Sequence, residues 1–215
     1  MYPVTQQTEK PQQQAMVGRR RVDRQRQSEL MTQIEEIVLR EGFLDLNMDE
    51  LTSRLHCSKS TLYGVAGNKQ TLVVKTVKHF FENATRRIEE ATTAETDCRR
   101  KVKVYLRGVG REMGRNSTQF YLDMVTYPPA AEVYAVNSAA AARRVREIID
   151  QGVKSGQFRA VDAAFASELV VLAIDGVQSG RLLAPTGLTA GEAFAEIADI
   201  LLDGLQYQSP RQLDA

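Results

Sequence analysis

The sequence predicts an all-α protein with a small N-terminal domain and a larger helical domain behind it. Apolar residues recur at three- and four-residue intervals through most of the 215-residue chain, which is the period of a helix. No stretch of useful length alternates apolar with polar residues as a half-buried strand would. Residues 47–72 also carry two helix-capping signals close together, which predicts a pair of short helices.

That pair organises the N-terminal domain. Asn47 is suited to cap one helix, and Glu50 stands where its carboxylate could reach back to the cap amide. After a tight turn at residues 55–57, Ser58 can cap a second short helix with a polar, basic first turn. This is a helix-turn-helix, in which the N-terminal end of the second helix reaches base edges in the major groove of DNA.

The motif resembles the DNA-binding domain of the TetR family of bacterial transcription regulators. The resemblance rests on Ser58-Lys59-Ser60-Thr61-Leu62-Tyr63 followed by Asn68-Lys69-Gln70-Thr71-Leu72, and it covers roughly residues 24–75. The remainder resembles the family only in length and helical pattern. The resemblance implies a three-helix domain joined by a long helix to a helical effector-binding and dimerisation domain.

Two positions depart from the family pattern. His56 stands in the turn where the family usually has glycine, and Ala66 stands where it usually has an aromatic residue. Histidine is enriched several-fold among non-glycine residues at positive φ, so we expect the turn to survive. Ala66 removes an aromatic contact at the end of the recognition helix.

Composition and charge agree with a DNA-binding N-terminal part. Residues 1–80 hold 12 Lys and Arg against 9 Asp and Glu, a net of +3, whereas residues 81–215 hold 16 against 18, a net of −2. Two cysteines give no disulfide framework and fit a reducing cytoplasm. The longest aliphatic run, Leu169–Ile174, is far short of the ~20 residues of a membrane span, and residues 1–17 carry no secretory signal.

Four segments follow from these patterns. We predict a disordered basic arm at 1–22, the helix-turn-helix domain at 23–75, the effector-binding and dimerisation domain at 76–207, and a tail at 208–215. The helix from Lys69 to about Glu90 would be ~30 Å long and would join the two domains.

The candidate DNA contacts are donors near the motif. Hydroxyl and amine groups at the start of the recognition helix can donate hydrogen bonds to phosphates or base edges of DNA. We expect Thr52 on the exposed side of the preceding helix, where it could contact the DNA backbone. Asn68 can cap the next helix, whose first amides form a phosphate site, and the resemblance gives Lys69 the same role. Tyr63 could instead be a packing residue with a solvated hydroxyl. The candidates are Arg19, Arg20, Arg21, Thr52, Ser58, Lys59, Ser60, Thr61, Tyr63, Asn68 and Lys69.

The last two long helices are apolar on most sides and therefore need burial on two sides. A two-fold homodimer would provide it and would place two recognition helices one turn apart on a palindromic operator in double-stranded DNA. The resemblance implies the same four-helix interface, and the alternative is an ordinary monomer core. The candidate interface residues are Leu169, Leu172, Gly176, Gly180, Phe194, Ile197 and Leu201.

Aromatic and methionine side chains on the preceding helices suit an adaptable apolar pocket. The resemblance implies that such a pocket binds a small apolar or amphipathic effector, and the alternative is an ordinary core. The candidates are Tyr105, Met113, Phe120, Tyr121, Met124, Tyr127 and Tyr134.

Catalytic and metal sites find little support. Two histidines and two cysteines make a triad or a zinc site hard to build, and the glycines of residues 108–114 have the wrong spacing for a dinucleotide loop. We therefore do not expect an enzyme, a cofactor or a metal site. We expect a ligand-responsive DNA-binding regulator, and we favour a repressor that a small effector releases from its operator. The alternatives are a regulator controlled by a protein partner, and a helical binding protein or enzyme with a vestigial DNA-binding domain.

Overall fold

The computed structural model describes residues 10–206, with side chains from residue 25 onward. Within that range every regular element is a helix, which confirms the all-α prediction. The helices are α1 (Lys10–Glu41), α2 (Met48–Arg54), α3 (Lys59–Val65), α4 (Lys69–Thr93), α5 (Cys98–Met113), α6 (Thr118–Thr126), α7 (Pro128–Lys154), α8 (Ala163–Gln178), α9 (Leu183–Thr186) and α10 (Ala190–Leu205).

The first helix begins earlier than the sequence indicated. We expected residues 1–22 to form a disordered arm, whereas α1 begins at Lys10. Glutamine, alanine and methionine dominate its first turns and lose little freedom in a helix, and Pro11 falls in the first turn, where its missing N–H is tolerated. Residues 1–9, the predicted tail at 208–215 and the side chains of Arg19, Arg20 and Arg21 lie outside the described residues.

Helices α1, α2 and α3 pack around the apolar core of the N-terminal domain. Ile34 of α1 and Leu62 of α3 are completely buried, and Phe43 in the loop after α1 is almost so. The buried stripe of α1 has the helical spacing that the sequence predicts. These contacts fix the position of α3 relative to the rest of the domain.

Helix α4 joins this core to the second domain. Its 25 residues correspond to about 37 Å. Leu72 and Val73 are buried against the N-terminal helices, whereas Phe81 and Ile88, farther along, are buried against the second domain. One continuous apolar core therefore runs through both domains.

The second domain consists of α5–α8 and α10, with the four-residue α9 between the last two. Helix α10 lies directly across α5, where Gly110 faces Phe194: a Cβ atom at Gly110 would lie only 2.7 Å from the Cβ of Phe194. Helix α8 packs along α7. The aromatic ring is thus buried inside one protomer at a position that only glycine leaves open.

Asp123 of α6 holds the end of α1. Its carboxylate is 2% exposed and accepts hydrogen bonds from the backbone amides of Phe43, at 2.6 Å, and Leu44, at 2.9 Å. Gly42, with φ of 82°, is the preceding residue, and a Cβ atom there would come within 2.5 Å of the same carboxylate oxygen. The side chain therefore satisfies two amides beyond the end of α1 and ties the N-terminal domain to α6.

A second link between the domains is an ionic chain. Buried Glu35 of α1 contacts His79 of α4 at 2.7 Å and Arg115, after α5, at 3.0 Å. Arg115 continues to Glu112 at 3.2 Å, and Arg87 of α4 contacts the same Glu112 carboxylate at 2.6 Å. Hydrogen bonds from Arg87, with a smaller contribution from Arg115, lower the pKa of Glu112. The two carboxylates are thus buried with their charges matched.

We expect Asp123→Ala to lower the free energy of unfolding by roughly 3 kcal/mol, because it leaves two amides without an acceptor at a buried junction. Asp123→Asn keeps one acceptor oxygen and should lose less. Urea denaturation followed by circular dichroism measures both, with the exposed Asp199→Ala as the control. Equal stability of the alanine variant and the wild type would contradict this role of Asp123.

Candidate nucleic-acid interface and ligand cavity

The two predicted helix caps of the helix-turn-helix are present. The Asn47 side chain accepts a hydrogen bond from the amide of Glu50 at 2.7 Å, and the Ser58 hydroxyl accepts one from the amide of Thr61 at 3.1 Å. The expected return contact from Glu50 to the first cap is replaced by one to Arg54, at 3.4 Å. Helices α2 and α3 therefore begin where the sequence places them.

The turn between α2 and α3 contains the strained position that the sequence indicated. His56 has φ of 48°, and among residues 10–206 it is the non-glycine residue with positive φ. Histidine tolerates this region better than most side chains, as we expected. Ala66, the other departure, is buried at the end of α3. Its methyl group belongs to the domain core.

The N-terminal end of α3 presents an exposed, donor-rich edge. Ser58, Lys59 and Ser60 are exposed, and Tyr63, one turn on, retains 46% of its surface. Lys59 forms an ion pair with Asp49 of α2 at 2.8 Å, which raises the pKa of the lysine. Both partners are exposed, so the pair can exchange for a phosphate at little expense. Thr61 is half-buried, and its hydroxyl forms a hydrogen bond with the hydroxyl of Ser58 at 2.8 Å.

Two polar residues of α2, Thr52 and Arg54, form hydrogen bonds within the protein. We expected Thr52 on the exposed side, but it is buried and its hydroxyl donates to the carbonyl of Asp49 at 2.7 Å. That side of α2 faces the core because Leu51 beside it is buried there too. Arg54 donates twice to Glu41, at 2.7 Å each, and these bonds lower the pKa of Glu41 to about 2.

The start of α4 combines a cap with a tethered lysine. Asn68 accepts a hydrogen bond from the amide of Thr71 at 2.8 Å, as expected of a cap. The Nζ of Lys69 donates to the carbonyl oxygen of Leu44 at 2.5 Å. The lysine therefore connects α4 to the loop between α1 and α2, and it would have to leave this carbonyl in order to bind a phosphate.

A cavity of about 100 Å³ lies between α4, α5, α7 and α8. Three of the seven candidate pocket residues, Tyr105, Met113 and Tyr134, line it. Its other walls include Phe81 and Ile88 of α4, which were not among the candidates. Their position on the joining helix was the available signal, but the sequence does not show which side of α4 faces the cavity.

The remaining candidate pocket residues lie elsewhere. Phe120 and Tyr127 form edge-to-face contacts with Phe43 at the junction between the domains. Met124 is buried in the same core, and Tyr121 packs its ring edge against Tyr134 rather than lining the cavity. The α6 aromatics thus connect the domains because the end of α1 occupies the space beside them.

Helices α8 and α10 expose an apolar face. We call Phe165, Leu169, Leu172 and Ile200 the apolar face, since each is more than half exposed. Phe165 and Ile200 were not among the candidates, although Phe165 stands four residues before Leu169, which itself stands three before Leu172, the spacing of one helix face.

The other interface candidates differ from one another in burial. Ile197 and Leu201 are half-buried beside the apolar face, whereas Phe194 is buried against α5. Gly176 is buried beneath Leu182, and Gly180 has φ of 74° in the turn after α8. The first of these glycines therefore makes room for a side chain of its own protomer.

Metal binding and membrane insertion each require a distinctive set of residues. Over the part of the chain that the structure describes, no three His, Cys, Asp or Glu side chains come together in a way that could hold a metal ion. None of the helices between residues 10 and 206 combines the length and apolar character needed to cross a bilayer.

Comparison with known proteins places the fold. No protein-family model and no curated protein sequence matches the chain. Among solved structures, a TetR transcription regulator from Haloarcula marismortui has a TM-score of 0.72 at 16% identity, covering 84% of this chain and 98% of its own. This chain has the TetR fold.

Two further structures with the same fold carry more specific names. A putative transcriptional regulator from Saccharomonospora viridis, solved in complex with choline, has a TM-score of 0.72 at 17% identity and covers 86% of this chain and 99% of its own. The fatty acid degradation regulator FadR from Bacillus halodurans has a TM-score of 0.65 at 13% identity, with coverages of 85% and 97%. The TetR fold of this chain thus extends through both domains.

We expect Ser58→Ala to lower the free energy of unfolding by about 1 kcal/mol, because α3 loses its N-cap. Ser53→Ala, at an exposed position of α2, is the control and should change the free energy of unfolding by less than about 0.5 kcal/mol. Urea denaturation measures both variants. A smaller loss for Ser58→Ala than for the control would show that the cap does not stabilise α3.

Proposed function

We propose that this protein is a homodimeric, cytoplasmic transcription regulator that binds double-stranded DNA through α3 and responds to a small molecule. The observation that carries the proposal is the exposed edge of Ser58, Lys59, Ser60 and Tyr63 on a helix-turn-helix with both caps in place. The likeness in fold to transcription regulators supports a binding function rather than an enzymatic one.

In this proposal, α3 enters the major groove with its N-terminal end. The serine hydroxyls reach base edges or phosphates, Lys59 exchanges Asp49 for a phosphate, and the Tyr63 hydroxyl donates to a phosphate oxygen. Thr61 completes the Ser58 cap, and the first amides of α4, behind Asn68, receive another phosphate together with Lys69. Arg19, Arg20 and Arg21 add positive charge ahead of the motif.

The apolar face gives the proposed dimer its interface. Four large apolar side chains that are more than half exposed on adjacent helices form a surface of the kind that marks protein association. A two-fold axis through this face would bury each α8 and α10 against their copies and would present two α3 helices to a palindromic operator. Ile197 and Leu201 would add to the same interface.

The proposed response to an effector is a shift between two states. Helix α4 supplies walls of the cavity through Phe81 and Ile88, and it also carries the N-terminal domain. A ligand that binds one state ~100-fold more tightly shifts the balance by about 2.7 kcal/mol. We favour release from the operator, and hence repression, as the outcome. The structure solved with choline supports a small-molecule site in this fold.

We expect DNA from upstream of the protein's own gene to bind tightly and selectively, with affinity falling steeply as salt rises. Tyr63→Phe should weaken binding roughly tenfold through one lost hydrogen bond. Lys59→Ala should weaken it and reduce the slope of log affinity against log salt by about 1, whereas Asp49→Asn should strengthen it by removing a competitor for the lysine. Fluorescence anisotropy measures all of these affinities.

Lys154→Ala, at the far end of α7, is the matched control and should leave DNA affinity unchanged. Weak binding, equal on random DNA and insensitive to Tyr63→Phe and Lys59→Ala, would contradict the proposal. That result would favour the second candidate, a helical ligand-binding protein with a vestigial DNA-binding domain. The cavity is the observation that supports this candidate.

We expect Leu172→Glu to convert the dimer into a monomer of about the 24.0 kDa chain mass, because it places a charge in the middle of the apolar face. Light scattering coupled to size exclusion measures the mass. Leu122→Glu, at an exposed position of α6, is the control and should leave the dimer intact. A wild-type protein that is monomeric at micromolar concentration would contradict the proposed interface.

A further inference from the structure

Thr85, Asn137 and Tyr105 are polar residues of the cavity wall whose side chains form no hydrogen bond with the residues that the structure describes, and Tyr105 is the most buried of the three. Tyr105 of α5 lines the cavity and is only 6% exposed. Its hydroxyl forms no hydrogen bond with any residue that the structure describes. Burial raises the pKa of this hydroxyl, and the charges of Glu89 and Arg144 have smaller effects on it. This hydroxyl is therefore available to a ligand inside the cavity, since no protein partner has to be displaced.

The charged groups of the cavity wall are matched with each other. Glu89 and Arg144 are its charged lining residues, and the Nε of Arg144 donates to both carboxylate oxygens at 2.9 and 3.0 Å. Asp175, behind the wall, accepts a hydrogen bond from the hydroxyl of Tyr134. A charged ligand would lose its hydration without meeting an unmatched opposite charge in the wall, so a neutral ligand is favoured.

The rest of the wall suits a flat apolar body. Phe81, Tyr105 and Tyr134 contribute rings, Met113 contributes a polarizable sulfur, and Ile88 is among the aliphatic residues. Aromatic and methionine side chains attract ring systems at their edges and faces. The volume of about 100 Å³ is of the scale of one ring, since an apolar cavity of about 150 Å³ holds benzene.

A larger open groove leads to this cavity from the surface between α4 and α7. The groove measures about 850 Å³ and shares Phe81, Thr85, Asn137 and Ala140 with the inner cavity. Its lining combines apolar residues such as Val133 and exposed Val136 with charged ones, which are Lys78, Glu82, Arg86 and Glu132. The cavity and the groove therefore adjoin at these shared residues.

We propose that the inner cavity binds a neutral, single-ring aromatic molecule that bears one hydroxyl group, with the ring against Phe81 and Tyr134 and the hydroxyl bonded to Tyr105. This molecule is a phenol or an aromatic alcohol. The claim that this molecule binds depends only on the cavity, whereas the claim that it acts as an effector rests on the regulatory function proposed above.

The first test compares four probes of similar size by isothermal titration calorimetry, on the full chain without DNA. The probes are p-cresol, toluene, benzoate and benzyltrimethylammonium. We expect p-cresol to bind roughly tenfold more tightly than toluene, since it adds one hydrogen bond, and both charged probes to bind more weakly than toluene. Tighter binding of benzoate or of the quaternary ammonium than of p-cresol would overturn the proposal.

The second test removes one hydroxyl from the protein. Tyr105→Phe should bind p-cresol and toluene equally within about twofold, while its affinity for toluene stays at the wild-type value. Tyr127→Phe removes a tyrosine hydroxyl outside the cavity and should retain the full tenfold preference. Thermal melts confirm that both variants fold. A preference for p-cresol that persists in Tyr105→Phe would overturn the proposal.

The DNA measurement separates this proposal from the regulatory one. Selective DNA binding with no affinity for p-cresol or toluene would overturn the ligand proposal and leave the DNA-binding function standing. The p-cresol preference in a protein that does not bind DNA would confirm the site and overturn the regulator. Where both are present, saturating p-cresol should change operator affinity in the wild type at a tenfold lower concentration than in Tyr105→Phe.

Discussion

The rest of the structure depends on how the end of α1 is held. The chain leaves α1 through a left-handed glycine, and the two amides that follow have no partner within the helix. Asp123, supplied by α6 some 80 residues later, accepts both of them. Since α6 belongs to the second domain, this carboxylate determines where the whole helix-turn-helix lies. The aromatic contacts of Phe43 with Phe120 and Tyr127 then surround this capped end with apolar surface.

The same junction fixes the position of one domain relative to the other. Helix α4 passes through both cores, and the ionic chain from Glu35 to Glu112 crosses between α1, α4 and the end of α5. Buried ion pairs and capped amides are directional, so a displacement of α4 or α6 cannot be absorbed gradually as it could in a purely apolar contact. A ligand between α4 and α7 would press on one of these elements. The domains are thus joined by contacts that favour discrete arrangements.

The cations of the N-terminal domain differ in how firmly protein partners hold them. Arg54, which a composition argument would assign to phosphates, is occupied by Glu41, and Lys69 is occupied by a loop carbonyl. Lys59 is held only by an exposed aspartate, which makes it the cation at the start of α3 that can change partner most readily. The basic character of the N-terminal part therefore overstates the charge that is available to DNA. Position on α3, rather than net charge, distinguishes the residues suited to contact a groove.

The sequence by itself determined the features that depend on neighbours a few residues away. Caps at Asn47, Ser58 and Asn68, the turn at His56 and the apolar helix stripes need only local geometry, and the structure contains them. Tertiary structure alone decided which residues of a stripe meet which partner. Thr52 is buried, Phe194 fills the space left by Gly110, and Phe120 packs at the domain junction instead of lining the cavity. The physical reason is that helical periodicity identifies a buried side of a helix, whereas the crossing of distant helices decides whether that side meets a core, a cavity or another chain.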